Sequence, residues 1–253
     1  MDLGLAGLRA LVTGGSKGIG RRCVDLLADE GCHVSLCARD ATLVTSTIEA
    51  CKAKGVNAYG EAVDVTDKAA LEAWISSSAQ ALGGIDIVIA NVSALAVDDS
   101  EEAWIKAFDC DMLHTVRTVN AALPYLEKSA HPSITIVSSV SGREIDFTGP
   151  AYGGFKAALI HYAHGLAHKL APQHIRVNSV SPGNVYFKDG IWEWIENNNQ
   201  ELFQKALSLN PTGRMATAEE IAAGIVFLAA PVSSFTSGTN LVIDGALTKG
   251  VQL

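Results

Sequence analysis

Two short runs, IDIVIA (Ile85–Ala90) and SITIVS (Ser133–Ser138), carry apolar residues at both odd and even positions. Side chains alternate across a strand, so such runs suit strands covered on both faces, as in a parallel sheet between helices. Similar runs recur at Ala10–Thr13, Val34–Cys37, Ala58–Val63, Arg176–Val180 and Leu241–Ile243. Helical periodicity fills the gaps: Ile19–Glu30, Ala41–Lys54, Lys68–Leu82, Glu101–Leu126, Tyr152–Ala171, Ile191–Leu207 and Ala218–Leu228. Strand and helix in alternation, joined by right-handed crossovers, predict an α/β fold: a doubly wound, Rossmann-type parallel sheet with helices on both faces. With 253 residues, 48% of them apolar, the chain can bury a large core, and no linker or repeat divides it. A single domain over 1–253 is expected. The stretch 183–213 is the least regular, carries Trp192 and Trp194, and is expected to act as a substrate flap.

The formal net charge of −8 argues against nucleic-acid binding, which needs a surplus of cations to displace phosphate counterions. Five cysteines, with no C-x-x-C and no zinc-finger spacing, read as free thiols in a reducing compartment. The first residues place an acid where a signal peptide carries bases, and no run reaches the ~18 apolar residues of a membrane span. A cytoplasmic protein without membrane contact is the expectation.

LVTGGSKGIGRR (Leu11–Arg22) follows the first strand and opens the first helix. Two readings fit it. Gly14-Gly15-Ser16-Lys17-Gly18 matches the G-x-S-x-G nucleophile elbow of serine hydrolases, with Ser16 as nucleophile. The same letters suit a phosphate cradle, in which Gly14, Gly18 and Gly20 leave backbone N–H groups exposed at a helix N-terminus.

A second constellation lies downstream. Ser139 ends the fifth strand, and thirteen residues later comes YGGFK, Tyr152 to Lys156. Residues four apart share one helix face. A phenol with a pKa near ~10 is a poor acid–base group at neutral pH, and a neighbouring ammonium stabilises its phenolate. A hydroxyl such as that of Ser139 can orient a carbonyl beside the phenol.

In these segments the chain resembles the short-chain dehydrogenase/reductase family. TGGSKGIG is similar to its T-G-x-x-x-G-x-G, and Ser139, Tyr152 and Lys156 to its Ser…Y-x-x-x-K. RVNSVSPG (Arg176–Gly183) resembles R-V-N-x-x-x-P-G, and LVIDGA (Leu241–Ala246) the closing V-D-G-G. The chain's size and C-terminus resemble the family's 3-oxoacyl carrier-protein reductase branch, while the departures described below point to a more specialised one. It implies hydride transfer between NAD(P) and a ketone or secondary alcohol. Tyr152 would be the general acid and base. Lys156 would bind the nicotinamide ribose and tune Tyr152, and Ser139 would hold the reacting oxygen. Ser16, Lys17 and Ile19 would join the three glycines around the phosphates. Asp64 and Val65 would meet the adenine, Asn91 its ribose, and Val180, Pro182, Gly183 and Val185 the nicotinamide. A homodimer or homotetramer is also implied, with His161, His164 and His168 on an interface helix rather than on a metal.

The second strand ends SLCARD, with Ala38 where an acid would hold a free ribose 2′-OH. Arg39 and Lys17 instead predict NADP(H), while Asp40 swinging onto the ribose would favour NAD(H). The family pattern is broken in four places. Ala94 replaces the glycine of N-N-A-G, and Phe187 replaces a threonine that contacts the carboxamide. Ala246 replaces the last glycine of V-D-G-G. Asp111 stands where an asparagine holds a water behind the lysine, and it is included in the catalytic set. These departures keep open a nucleotide-binding protein that has lost catalysis.

Overall fold

The computed structural model describes residues 2–251. The order along the chain is β1 (Arg9–Thr13), α1 (Gly18–Asp29), β2 (His33–Ala38), α2 (Ala41–Ala53), β3 (Ala58–Ala62), α3 (Lys68–Leu82) and β4 (Ile87–Ala90). Then come α4 (Glu101–Ala107), α5 (His114–Leu126), β5 (Ser133–Val137), α6 (Pro150–Leu170) and β6 (Arg176–Pro182). The rest is β7 (Val185–Tyr186), α7 (Ile191–Asn198), α8 (Gln200–Leu209), β8 (Ala216–Thr217), α9 (Ala218–Ala229) and β9 (Asn240–Ile243). The seven-stranded sheet runs β3-β2-β1-β4-β5-β6-β9, and its pairings are parallel. This is the expected doubly wound Rossmann-type topology. The strand order reverses between β1 and β4, which opens a crevice beyond their carboxyl ends.

The two-faced apolar runs account for the layering. Ala10, Val12, Ile87 and Ile89 join a buried cluster with Val24 and Leu27 of α1 and Ile221 and Ile225 of α9. Their neighbours Leu11, Val88 and Ala90 join the opposite cluster, with Leu71 and Trp74 of α3, Val119 of α5 and Leu159 of α6. Each strand thus feeds two cores with alternate side chains. Local signals set the helix starts. Asp40 caps α2 by accepting from the amides of Thr42 and Leu43, and Thr217 with Glu220 forms a capping box on α9.

The structure departs from the periodicity in two places. The predicted helix Glu101–Leu126 is interrupted by a π-helical stretch, Phe108–Leu113, where the His114 amide reaches back to the Asp109 carbonyl. One extra residue in a turn leaves the apolar pattern nearly intact, so periodicity does not reveal it. The predicted helix Ile191–Leu207 breaks at Asn199, whose side chain caps α8 by accepting from the Leu202 amide. The pairing of β7 with β8 closes the base of this segment. Trp192, Ile195, Phe203, Ala206 and Met215 form a small core of their own there.

Candidate active site

A cleft of about 600 Å³ runs along the carboxyl ends of the strands. Gly14, Ser16, Lys17, Gly18 and Ile19 form its floor beyond β1. Arg39, Asp64, Val65 and Asn91 line one end, and Ser139, Tyr152, Lys156, Pro182, Gly183 and Val185 the other. Gly20 and Asp111 stand behind this lining. Val180 is buried in the core below it.

The glycine loop has the shape of a cradle. Gly14 (φ +66°) and Gly18 (φ +52°) sit in the left-handed region that disfavours a side chain. Gly20 is packed even more closely: a Cβ there would lie 2.2 Å from the Gly14 carbonyl oxygen. α1 begins with no side-chain cap and no acid in its first turn, so its amides face the cleft without a built-in anion. Among the described residues, no carboxylate forms an ion pair with Lys17 or Arg39, and both are exposed. Asp40, the alternative ribose partner, is engaged as the α2 cap. A cradle without room for side chains, a bare helix start and two unpaired cations fit a phosphorylated dinucleotide.

Asn91 turns inward and braces the loop. Its amide donates to Thr13 Oγ1 (3.0 Å) and its side chain to the Thr13 carbonyl (3.2 Å). Asp64 accepts from the amide and hydroxyl of Thr66, which hold its carboxyl below the usual range, with a smaller contribution from the Arg39 charge.

At the other end, the turn after β5 lies hard against α6. A Cβ on Gly142 would come within 2.6 Å of the Lys156 backbone, and Ser138 Oγ donates to the Lys156 carbonyl (2.7 Å). That contact sets Ser139 beside the helical turn bearing Tyr152 and Lys156. Lys156 Nζ is 5.6 Å from the Tyr152 ring centroid, 3.0 Å from Asp111 Oδ1 and 3.3 Å from the Val137 carbonyl. Lys156 and Asp111 are each 2% exposed. Burial presses the Lys156 pKa down, but the charges of Asp111 and Tyr152 outweigh it and leave the ammonium above its ordinary value. Asp111 Oδ2 accepts from the Ala94 amide (2.9 Å), so the residue replacing the glycine of N-N-A-G helps to hold the carboxylate.

Several residues of this site carry no sequence signal of their own. Leu95, Lys106, Cys110 and Ile191 line the cleft. His114 is fully buried beneath it, with Nε2 2.9 Å from Thr13 Oγ1. Burial lowers its pKa to about 4. Phe187 lays its ring against the glycine loop, where a Cβ on Gly18 would lie 2.6 Å from it. Trp192 also reaches the cleft and meets Phe147 edge to face at 5.6 Å, whereas Trp194 is exposed. Ala246 sits at φ +64°, in the left-handed region that favours glycine, and Asp244 fixes the turn by accepting from the amides of Ala246 and Thr248. Two motif residues are scaffold: Arg176 donates to the carbonyls at the end of α9, and Asn178 bridges the Thr236 carbonyl and the Thr239 amide.

Comparison with known proteins agrees with this geometry. A family profile described as enoyl-(acyl carrier protein) reductase matches residues 14–248. Isoepoxydon dehydrogenase of Penicillium expansum is 41% identical over 258 residues, covering 100% of this chain and 99% of that protein. The structure of L-sorbose reductase from Gluconobacter frateurii, in complex with NADPH and L-sorbose, superposes with a TM-score of 0.92 at 27% identity, covering 99% and 100% of the two chains. A short-chain dehydrogenase from Burkholderia cenocepacia in complex with NADP gives 0.87 at 27% identity, covering 96% and 99%. The chain belongs to the short-chain dehydrogenase/reductase family. It is an oxidoreductase acting on CH–OH groups.

Proposed function

We propose that the chain is an NADP(H)-dependent oxidoreductase interconverting a ketone and a secondary alcohol, with Tyr152 as general acid and base. The observation that carries this reading is the buried Lys156 ammonium, aimed at Tyr152 and clamped by Asp111, in a cleft whose far end presents Lys17 and Arg39. The glycine loop, with Ser16, Lys17 and Ile19, would hold the phosphates, and Arg39 with Lys17 the 2′-phosphate. Asp64, Val65 and Asn91 would border the adenosine, and Pro182, Gly183 and Val185 the nicotinamide. Ser16 is then a cradle residue and not a nucleophile. The NADPH and NADP complexes of the structural relatives support the same cofactor here.

Bound NADPH supplies the hydride. Tyr152 delivers its hydroxyl proton to the carbonyl oxygen in reduction, and as phenolate takes up the alcohol proton in the reverse direction. Lys156 stabilises that phenolate and would hold the nicotinamide ribose. Asp111 keeps the ammonium in place in a site where an unpaired charge would be costly. Ser139 aligns the substrate oxygen, and the segment 183–213 closes over it with Phe187 and Trp192 at the mouth. The exposed Trp104 and Phe108, near the outer face of α6, support assembly with a second copy.

The test is a fluorescence titration with NADPH and NADH. It is followed by a panel of L-sorbose, tropinone and 2-cyclohexen-1-one for reduction and isoepoxydon for oxidation. The reading requires tighter NADPH binding and turnover of at least one panel member. Tighter NADH binding contradicts the cofactor assignment, and no turnover contradicts the reaction.

A further inference from the structure

We propose that Asp146 is a positioning residue for Ser139, acting through the hydroxyl of Ser141; the proposal rests on the role assigned to Ser139 above. Asp146 lies in the loop between β5 and α6, outside the cleft lining. Its Oδ1 accepts from the amide (2.8 Å) and the hydroxyl (2.6 Å) of Thr148, two residues ahead of the first residue of α6. Its Oδ2 accepts from Ser141 Oγ at 2.5 Å. Ser141 Oγ lies 3.2 Å from Ser139 Oγ, and the Ser141 amide donates to Ser139 Oγ at the same distance.

The order of protons in this chain follows from the carboxylate, which accepts and cannot donate. The Ser141 proton is therefore directed to Asp146. A lone pair of Ser141 Oγ is left facing Ser139, whose own proton must point to Ser141. Ser139 Oγ is held by one donor and one acceptor, both on Ser141, in a single orientation. The Ser139–Ser141 contact is long and neutral, so it yields easily when a substrate oxygen takes the Ser139 proton. The Ser141 amide continues to hold Ser139 Oγ as that exchange occurs. A turn at the start of α6 needs only the Thr148 contacts of Asp146; the second carboxylate oxygen serves Ser141.

Without the carboxylate, the Ser141 proton is free to turn onto Ser139 Oγ, and the serine samples both proton orders. Loss of a fixed orientation at the reacting oxygen lowers kcat and leaves cofactor binding alone. The test is a double-mutant cycle: Asp146→Ala and Ser141→Ala, each alone and in a Ser139→Ala background. The readouts are NADPH affinity by fluorescence and kcat with NADPH and the fastest ketone among L-sorbose, tropinone and 2-cyclohexen-1-one. Each single change is expected to lower kcat by about tenfold, with NADPH affinity within about twofold of the parent, and to cause no further loss once Ser139 is alanine. Ser141→Ala leaves the Asp146–Thr148 turn in place, so the cycle stands even where Asp146→Ala unfolds the loop. Equal losses in both backgrounds, or no loss in either single variant, overturn the proposal. No turnover by the parent with all three ketones instead contradicts the function on which the proposal rests.

Discussion

Asp111 and Lys156 form an ion pair at 3.0 Å in which both side chains are almost wholly withdrawn from solvent. A pair buried this deeply is no guarantee of stability, since desolvation opposes the attraction. Breaking it from one side is a different matter. Asp111→Ala strands the ammonium and frees the Ala94 amide, and should destabilise the fold by about 3 kcal/mol. Asp111→Asn keeps an acceptor for that amide and should cost less. Urea unfolding of the two variants checks the order; equal stability of both with the parent would remove the pair from the account.

The glycine loop gives a second prediction. Gly18→Ala adds a Cβ at φ +52° and only 2.6 Å from the Phe187 ring. The backbone strain alone is worth about 1–2 kcal/mol. NADPH affinity should fall by about tenfold or more, because the loop must shift where it approaches the phosphates. Adding Phe187→Leu relieves the contact and not the φ, so affinity should return only in part. Full recovery in the double variant would show that the backbone conformation is immaterial.

Arg39 should discriminate between the cofactors. Arg39→Ala is expected to weaken NADPH by about tenfold and to leave NADH nearly unchanged, since only NADPH carries the 2′-phosphate. Isothermal titration with both nucleotides measures the difference. Parallel losses would mean that Arg39 stacks on the adenine instead of reading the phosphate.

His114 makes stability depend on pH. Its pKa falls from 6.5 to about 4 because burial disfavours the charged ring. Above pH 6.5 the ring is neutral whether the chain is folded or not, and its share of stability is complete. As pH falls from 6.5 towards 4 the unfolded chain takes up a proton that the folded chain refuses, and stability drops by about 3 kcal/mol. Denaturant titrations at pH 7 and pH 4.5 should show this extra loss in the parent and not in His114→Leu. Identical pH slopes for the two proteins would contradict it.

Much of the fold was legible because it rests on short-range rules. Runs apolar on both faces marked β4 and β5 as strands sandwiched between helices, and glycines after β1 marked the turn into α1. The Tyr152–Lys156 spacing placed both groups on one face of α6. What stayed hidden depends on backbone hydrogen bonding and on contacts distant in sequence. The π-helical turn that carries Asp111 differs from an α-helix by a shifted amide, not by residue type. The helix break at Asn199 turns on one capping side chain among the several polar residues of the run Glu196–Glu201. The line from Ser139 through Ser141 to Asp146 exists only because the loop folds back on itself.

The central claim is that Tyr152 moves the proton. The most direct measurement is NADPH oxidation at 340 nm by the parent and by Tyr152→Phe, with the best ketone of the panel and with nucleotide affinity recorded for both proteins. The account predicts that the phenylalanine variant still binds NADPH and loses kcat by about two orders of magnitude or more, the usual share of a positioned acid–base group. Turnover by Tyr152→Phe at the parental rate would contradict it.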